Sequence, residues 1–486
     1  MKKIYIFLLV ILGLYVLLLI PFPSNEKNIQ KATQNPFIWN QDSLWEGLEI
    51  RFQEAKRMPS IELDSIVNDL SYKADALLNT LENTISKPDD SLYSLIETNF
   101  FSITPLIAAQ PKKSDWYINY YNRVRKKIKS DSRFWNMNHI NARNTSYRLL
   151  YGMRAAVEEV LLQSNNNDFI STMYVTEEPS VTPSVNILGI KAHSGDLLVS
   201  RGGAEVSAFI SRGNDYPGNF SHVAIIHIDK ATNKPYFVEA HIEKGVAISS
   251  LKTYLNDKKL RFMVMRPRND LPQIESNPML PYQVSSYIFK ESQTRHIPYD
   301  FKMDYYDSSA MFCSEVGSYA YKQFGISLWE FKSTISSDGV MDWLNTFGVE
   351  NFVTQMPSDL EYDPMLSVVA EWRDKDILFQ DHLDNAVMDA LLSEANSGAK
   401  LDYNIFMLPL ARVIKGYSYI LNIMGKEGVI PEGMDAISAL KNNNFVEKFQ
   451  NCKTQTKEKI ETFKKLNGYL PPYWQLVKMA ENTLSN

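Results

Sequence analysis

The sequence predicts an α+β fold in which a small antiparallel sheet lies between two helical regions. Apolar residues recur at three- and four-residue steps up to about residue 163 and again after about residue 351, the period of amphipathic helices. Between these regions, from Gly195 onward, the period falls to two, as in half-buried strands. The chain has 486 residues, 44% hydrophobic and 22% charged, which is more than one core usually serves and an ordinary globular balance. That balance excludes a mainly disordered chain. With 51 Lys and Arg against 56 Asp and Glu, the net charge is −5. There is no basic surplus to neutralise phosphates, which argues against a nucleic-acid binder.

Residues 1–23 form the first unit. Lys2 and Lys3 precede an apolar run from Ile4 to Ile20, and Pro21, Phe22 and Pro23 close it. The run is apolar on every face, so it reads as a membrane anchor or signal segment rather than a core helix. Ser24, Asn25, Glu26 and Lys27 follow, with neither a small-residue cleavage site nor a lipoprotein cysteine. The expectation is an uncleaved anchor, with export after signal cleavage as the alternative. The two lysines keep the amino end in the cytoplasm and place the remainder in the cell envelope, outside it.

Residues 24–185 read as a helical domain. Leu44, Leu48 and Phe52 share a face after the cap candidate Asp42. Leu63, Ile66, Val67, Leu70, Ala74, Leu77, Leu78 and Leu81 repeat with helical period, as do Leu149, Leu150, Met153, Val157, Val160 and Leu161. These faces carry packing residues and no chemical motif. From Ser164 to Lys191, Asn165, Asn166, Asn167, Pro179 and Pro183 mark a linker.

Residues 186–350 carry the strands and the chemistry. Leu197–Ser200, His222–Ile228, Tyr236–His241, Val246–Ser249 and Phe262–Met265 read as strands, Tyr282–Glu291 as a helix, and Cys313–Phe324 as a helix stopped by Gly325. Residues 351–486 return to helical period, with Leu383, Val387, Ala390 and Leu391 on one face and a solvated, charged stretch from Asn451 to Lys465.

Cys313 opens a predicted helix, where unpaired backbone N–H groups and the helix dipole favour a thiolate and can hold an oxyanion. His222 begins a strand whose alternation puts His227 on the opposite face. Glu239 lies on the next strand, where a short hairpin brings it near His222; His241 shares its face and is its rival. A thiol at a helix start, a base on one strand and an orienting acid on the next follow the logic of a cysteine hydrolase. The other cysteine, Cys452, lies in a different predicted region, which argues against a bridge to Cys313.

The same pieces resemble the NlpC-type cysteine peptidases, a papain-like group, with their order changed. Gly195-Asp196-Leu197-Leu198, Ser221-His222-Val223 and Val238-Glu239-Ala240 come first, and Ile297-Pro298-Tyr299-Asp300 and Cys313-Ser314-Glu315-Val316 follow. That order is a circular permutation and is similar to the permuted NlpC-like amidases of the YaeF/YiiX family, over about residues 187–328. The resemblance implies a circularly permuted papain-like core with Cys313 as nucleophile, His222 as base and Glu239 as third member. Tyr299 matches a loop tyrosine beside the thiol, which implies substrate binding. Phe312 stands where the ordinary family has Asp before the cysteine, and the glycines of that loop are absent.

No metal or other cofactor is implied. The seven histidines offer no His-x-x-x-His pair, which argues against a zinc peptidase. The expected activity is hydrolysis of an amide in a cell-wall peptide or related compound, through a thioester. A lipid or acyl ester as substrate is the first alternative, because lecithin:retinol acyltransferase-like enzymes share the His-before-Cys order, although their Asn-Cys-Glu-His signature is absent. A non-catalytic binding or scaffold protein is the second.

Overall fold

The computed structural model describes residues 2–20, 29–32, 34–39, 42–164, 170–257, 259–329, 332–424 and 426–485. The expected helix stop at Pro21–Pro23, the Ser24–Lys27 segment and Asn165–Asn167 lie outside them.

The N-terminal region is built from α1 (Lys2–Leu19), α2 (Asp42–Arg57), α3 (Ser60–Glu82), α4 (Ser91–Ala109), α5 (Ser114–Asp131), α6 (Ile140–Tyr147) and α7 (Met153–Gln163). Asp90 caps α4 by accepting from the Leu92 amide. The periodic residues Leu63, Val67, Ala74, Leu78 and Leu81 are buried on α3, and Val157 and Val160 on α7. They share a core with Phe100, Tyr117 and Tyr121, in which Phe100 stacks on Tyr117 at 4.1 Å between centroids.

The middle of the chain runs through β1 (Thr172–Tyr174), β2 (Ser184–Ile187), β3 (Ile190–His193), β4 (Leu197–Gly202), α8 (Glu205–Arg212), β5 (His222–Ile228), β6 (Pro235–His241), β7 (Gly245–Ser250), α9 (Leu251–Asn256) and β8 (Lys259–Pro267). Next come α10 (Pro272–Ser276), α11 (Leu280–Thr294), α12 (Cys313–Lys322), β9 (Ser333–Thr334), α13 (Asp338–Thr346), β10 (Val353–Thr354) and β11 (Leu366–Arg373). The chain ends in α14 (Leu378–Asn396), α15 (Leu408–Ile423), α16 (Ala436–Asn467) and α17 (Tyr473–Leu484).

Seven strands form one antiparallel sheet in the order β1-β11-β8-β4-β5-β6-β7. One face, with Val199, Val223, Ile225, Val238 and Met263, is covered by α11 and α12 through Val284, Ile288, Val316 and Ala320. The other face, with Ala224, Ile226, Phe237 and Val264, meets the β2–β3 hairpin and Tyr254 of α9. A separate core joins α8, α13, α14, α16 and α17.

The sheet is wider than the sequence pattern indicates. The segment read as a linker holds β1, β2 and β3, and β11 lies beyond residue 350, where only helices were expected. Strand β1 is three residues long, too short to show a period. Strand β11 carries Glu371 and Arg373 toward the interior, both fully buried, so its charges mask its alternation. A register shift between Val368 and Ala370 breaks the alternation further.

Candidate active site

Three elements converge on the thiol. β5 begins at His222, which pairs with Ser200 of β4, and Ala224 two residues on pairs with Glu239 of β6. Glu239 is thus diagonal to His222 across the hairpin, within reach of its ring. His222 Nε2 lies 2.8 Å from Glu239 Oε2. The Cys313 side chain neighbours the same imidazole and favours its charged form. Cys313 is the first residue of α12, is buried, and has its Sγ 3.7 Å from the Ser221 carbonyl oxygen. Ser314 fixes the start of α12 by donating from Oγ to the Gln355 carbonyl at 2.8 Å. Phe312 gives α12 no side-chain cap and the Glu315 amide turns back to Phe312 O at 3.1 Å, but among the described residues the Cys313 and Ser314 amides have no acceptor and are open to a ligand oxygen beside the thiol.

The electrostatics follow from these contacts. Burial alone would push the His222 imidazole down, but the neighbouring Cys313 and Glu239 outweigh that and hold it at about 9. For Glu239, buried to 1% exposure, burial is outweighed by the two histidines, which keep the carboxyl well below the usual range. His241 Nε2 sits 3.3 Å from the second oxygen, Glu239 Oε1, and its ring is 5.7 Å from that of His222. Glu239 therefore stands between two imidazoles, and its shorter contact is to His222. His227 lies on the opposite face as alternation required, buried under α11 with Nδ1 3.2 Å from Ser285 Oγ and its ring 4.7 Å from Phe289.

A backbone clasp fixes Tyr299 against Met311, two residues before the thiol. The Met311 amide donates to Pro298 O at 2.9 Å, and the Asp300 amide donates to Met311 O at 3.2 Å. Burial and the nearby charge of Cys313 both raise the Tyr299 phenol. Asp196, within the strand motif, serves the scaffold instead: its carboxylate accepts two hydrogen bonds from Arg266, each 2.8 Å. Gly195 precedes it at φ +98°, where an added Cβ would lie 2.6 Å from the Pro281 carbonyl, so glycine is required.

Glu315 stands in the Cys-Ser-Glu signature, but nothing in the sequence assigns it a role. It is 3% exposed, and its Oε2 finds no partner among the described residues. Burial first, then the charge of Asp300, push its carboxyl up to about 9, so it is neutral at physiological pH. Its folded value exceeds its unfolded value, so between roughly pH 4.5 and 9 the folded state keeps a proton that the unfolded chain has lost. Stability then falls by up to about 1.4 kcal/mol per pH unit across that window. Glu315→Gln should remove this slope and stabilise the protein at pH 8 by about 2–4 kcal/mol. Urea melts of both proteins from pH 5 to 8 check it, and parallel curves would refute it.

The thiol at a helix start, the imidazole against it and the carboxylate behind the imidazole form an arrangement of the papain-like class. Residues 191–370 match the family described as permuted papain-like amidase enzyme, YaeF/YiiX, C92 family, in agreement with the motif order. The match supports cysteine hydrolase chemistry at the level of the family. A solved structure described as metalloprotein yiiX from Escherichia coli O157:H7 aligns with 37% of this chain and 98% of its own, at 18% identity and a TM-score of 0.30. No curated protein matches the chain.

Proposed function

We propose that the protein is a cysteine amidase of the cell envelope, held at the membrane by α1, with Cys313, His222 and Glu239 as its catalytic groups. The observation that carries this is the convergence of Cys313, the first residue of α12, with an imidazole whose Nε2 meets Glu239 at 2.8 Å. His222 takes the thiol proton and Cys313 attacks the amide carbonyl. The first amides of α12 hold the oxyanion. The imidazolium gives its proton to the leaving amine, and water, deprotonated by His222, hydrolyses the thioester and restores the thiol. Glu239 fixes the ring and stabilises its charged form, and Tyr299 borders the bound acyl group. Cell-wall peptides are the first substrates to test.

The decisive experiment measures alkylation of the two thiols by mass spectrometry as pH is varied. Burial pushes the Cys452 thiol up, so it is an internal control for an inert cysteine. At pH 6.5 Cys313 should react at least about tenfold faster than Cys452, and His222→Ala should remove that advantage. Equal rates in the wild-type protein would end the hydrolase reading.

Glu239→Gln should lower turnover about 100-fold or more, as removal of an orienting carboxylate does. It should also move the alkaline limb of the rate profile down from about 9, because the imidazolium loses one of the contacts that raise it. His241→Gln should cost far less. The opposite ranking would make His241 the third member.

A further inference from the structure

Helix α15 buries only one side. Leu408 and Ala411 pack against Ala436 at the start of α16, and Ser418 is buried on the same side. Opposite them, Phe406, Leu410, Val413, Tyr417, Ile420 and Met424 are between 51% and 67% exposed. Their steps of four, three, four, three and four residues make one continuous apolar stripe. Helix α1 extends it. Tyr15 donates from its hydroxyl to Phe406 O at 2.9 Å, and Arg412 Nη1 donates to Leu18 O and Ile20 O at 2.6 and 2.8 Å. On α1 itself Ile4, Tyr5, Ile6, Leu9 and Val10 are each more than half exposed.

Charge selects the occupant of this face. Residues 403–426 contain Arg412, Lys415 and Lys426 and no acid, although the chain as a whole carries a net charge of −5. A second helix packed on a 4-3 stripe is normally registered by flanking charges of both signs, which this segment lacks. Arg412 and Lys415 turn to the α1 carbonyls and to the carbonyls of Pro431 and Glu432, so the outer face offers Tyr417, Tyr419 and Lys426 beside an apolar stripe, the pattern of a helix lying in a lipid headgroup layer. Among the described residues no helix is long and apolar enough to cross a membrane, and a helix lying in the interface has no need to. We propose that the α15 face, continued by α1, rests in the interface of an anionic lipid bilayer.

The segment after α15 ties this face to the rim of the thiol site. Glu427 pairs with Lys244 at 3.0 Å, beyond the end of β6, and Glu432 with His296 at 3.1 Å. Gly433 packs on the ring of Phe301, which stands edge-on to Tyr299 at 5.1 Å. Bilayer docking therefore holds the thiol site beside the lipid surface. Its consequence for substrate, an amide presented at that surface, rests on the amidase reading above; the docking itself does not.

The test uses the full chain with both native cysteines changed to serine and an environment-sensitive dye at Ile420→Cys. Vesicles of phosphatidylcholine with phosphatidylglycerol should shift the dye emission to the blue and raise it several-fold. A dye at Ile61→Cys, on α3 and 87% exposed, should not respond. Water-like emission at 420 in the presence of vesicles overturns the proposal. So does shielding that grows with protein concentration without vesicles, which would assign the face to a second copy. In the otherwise native chain, Val413→Glu with Ile420→Glu should cut the vesicle-bound fraction about tenfold; an unchanged fraction would leave binding to α1 alone. This pair should leave Cys313 alkylation unaltered. Failure of alkylation in the wild-type protein would remove the amidase reading and leave the vesicle result standing.

Discussion

Cys313→Ala is expected to abolish amide turnover, by at least about 10⁴-fold, while the chain stays folded. The substitution removes one sulfur atom from a buried position, and a deletion of that size costs about 1 kcal/mol. Loss of the thiol leaves the His222–Glu239 pair in place, so the site keeps its geometry without the proposed nucleophile. Cys452→Ala is the matched control. Cys452 is buried among helices α14, α16 and α17, with its Sγ 3.9 Å from Thr456 Oγ1 and 3.7 Å from the Ala480 carbonyl. Its loss should change stability slightly and turnover not at all. Both thiols are free, so neither variant breaks a bridge. Turnover of peptide or muropeptide amides, measured beside a thermal melt, separates the two effects. Retained turnover in Cys313→Ala would move the activity elsewhere or remove it.

The reason this site could be read from sequence is that its parts lie on short, regular elements. Period-two alternation separated His222 from His227, an assumed short hairpin put Glu239 near His222 with His241 as rival, and the resemblance chose between them; the observed register sets Ala224 opposite Glu239. The helix start at Cys313 is marked by the break in period before it and by Gly325 after it, at φ +78°. Glu315 was not legible, because its neutrality comes from burial and from Asp300 on a separate loop, neither of which spacing reveals. Asp196 shows the converse: it lies within a motif that resembles a catalytic domain, yet it holds Arg266. Strand β11 was hidden for a related reason. Glu371 and Arg373 look like surface residues in sequence, and they are buried because Arg125 and Glu158, which compensate them, come from positions far away in the chain.

Those partners make the second large effect. Glu371→Ala is expected to destabilise the fold by about 3–5 kcal/mol, the cost of leaving buried guanidinium groups uncompensated. Glu371 is fully buried, pairs with Arg373 at 3.0 Å and Arg125, and lies 3.9 Å from Arg154 and 4.0 Å from Arg261. Burial would raise its carboxyl, but Arg373, Arg125 and Arg154 outweigh that and hold it at about 2. Around it, Glu158 takes Arg261 at 2.6 Å and His382 at 2.9 Å, Glu361 takes Arg125 at 3.0 Å and Arg154 at 2.7 Å, and Asp381 takes Arg261 at 2.6 Å. Arg125 and Arg154 stand on α5 and α7, Arg261 on β8 and Asp381 on α14, so the cluster fastens the N-terminal helices to the sheet and to α14. The sheet and the helices should accordingly melt together, and Glu371→Ala should lower one shared transition. Because its folded value is depressed, Glu371 stabilises above its ordinary range, near 4.5, and that contribution is lost as pH falls toward 2. The difference between wild type and Glu371→Ala in urea should thus be full at pH 7 and shrink below pH 4. Removing both partners in Glu371→Leu with Arg373→Met should recover most of the loss, since an apolar pair needs no compensating charge. A single-variant loss under 1 kcal/mol at pH 7, or a double variant as weak as the single, would show that the guanidinium groups find other compensation.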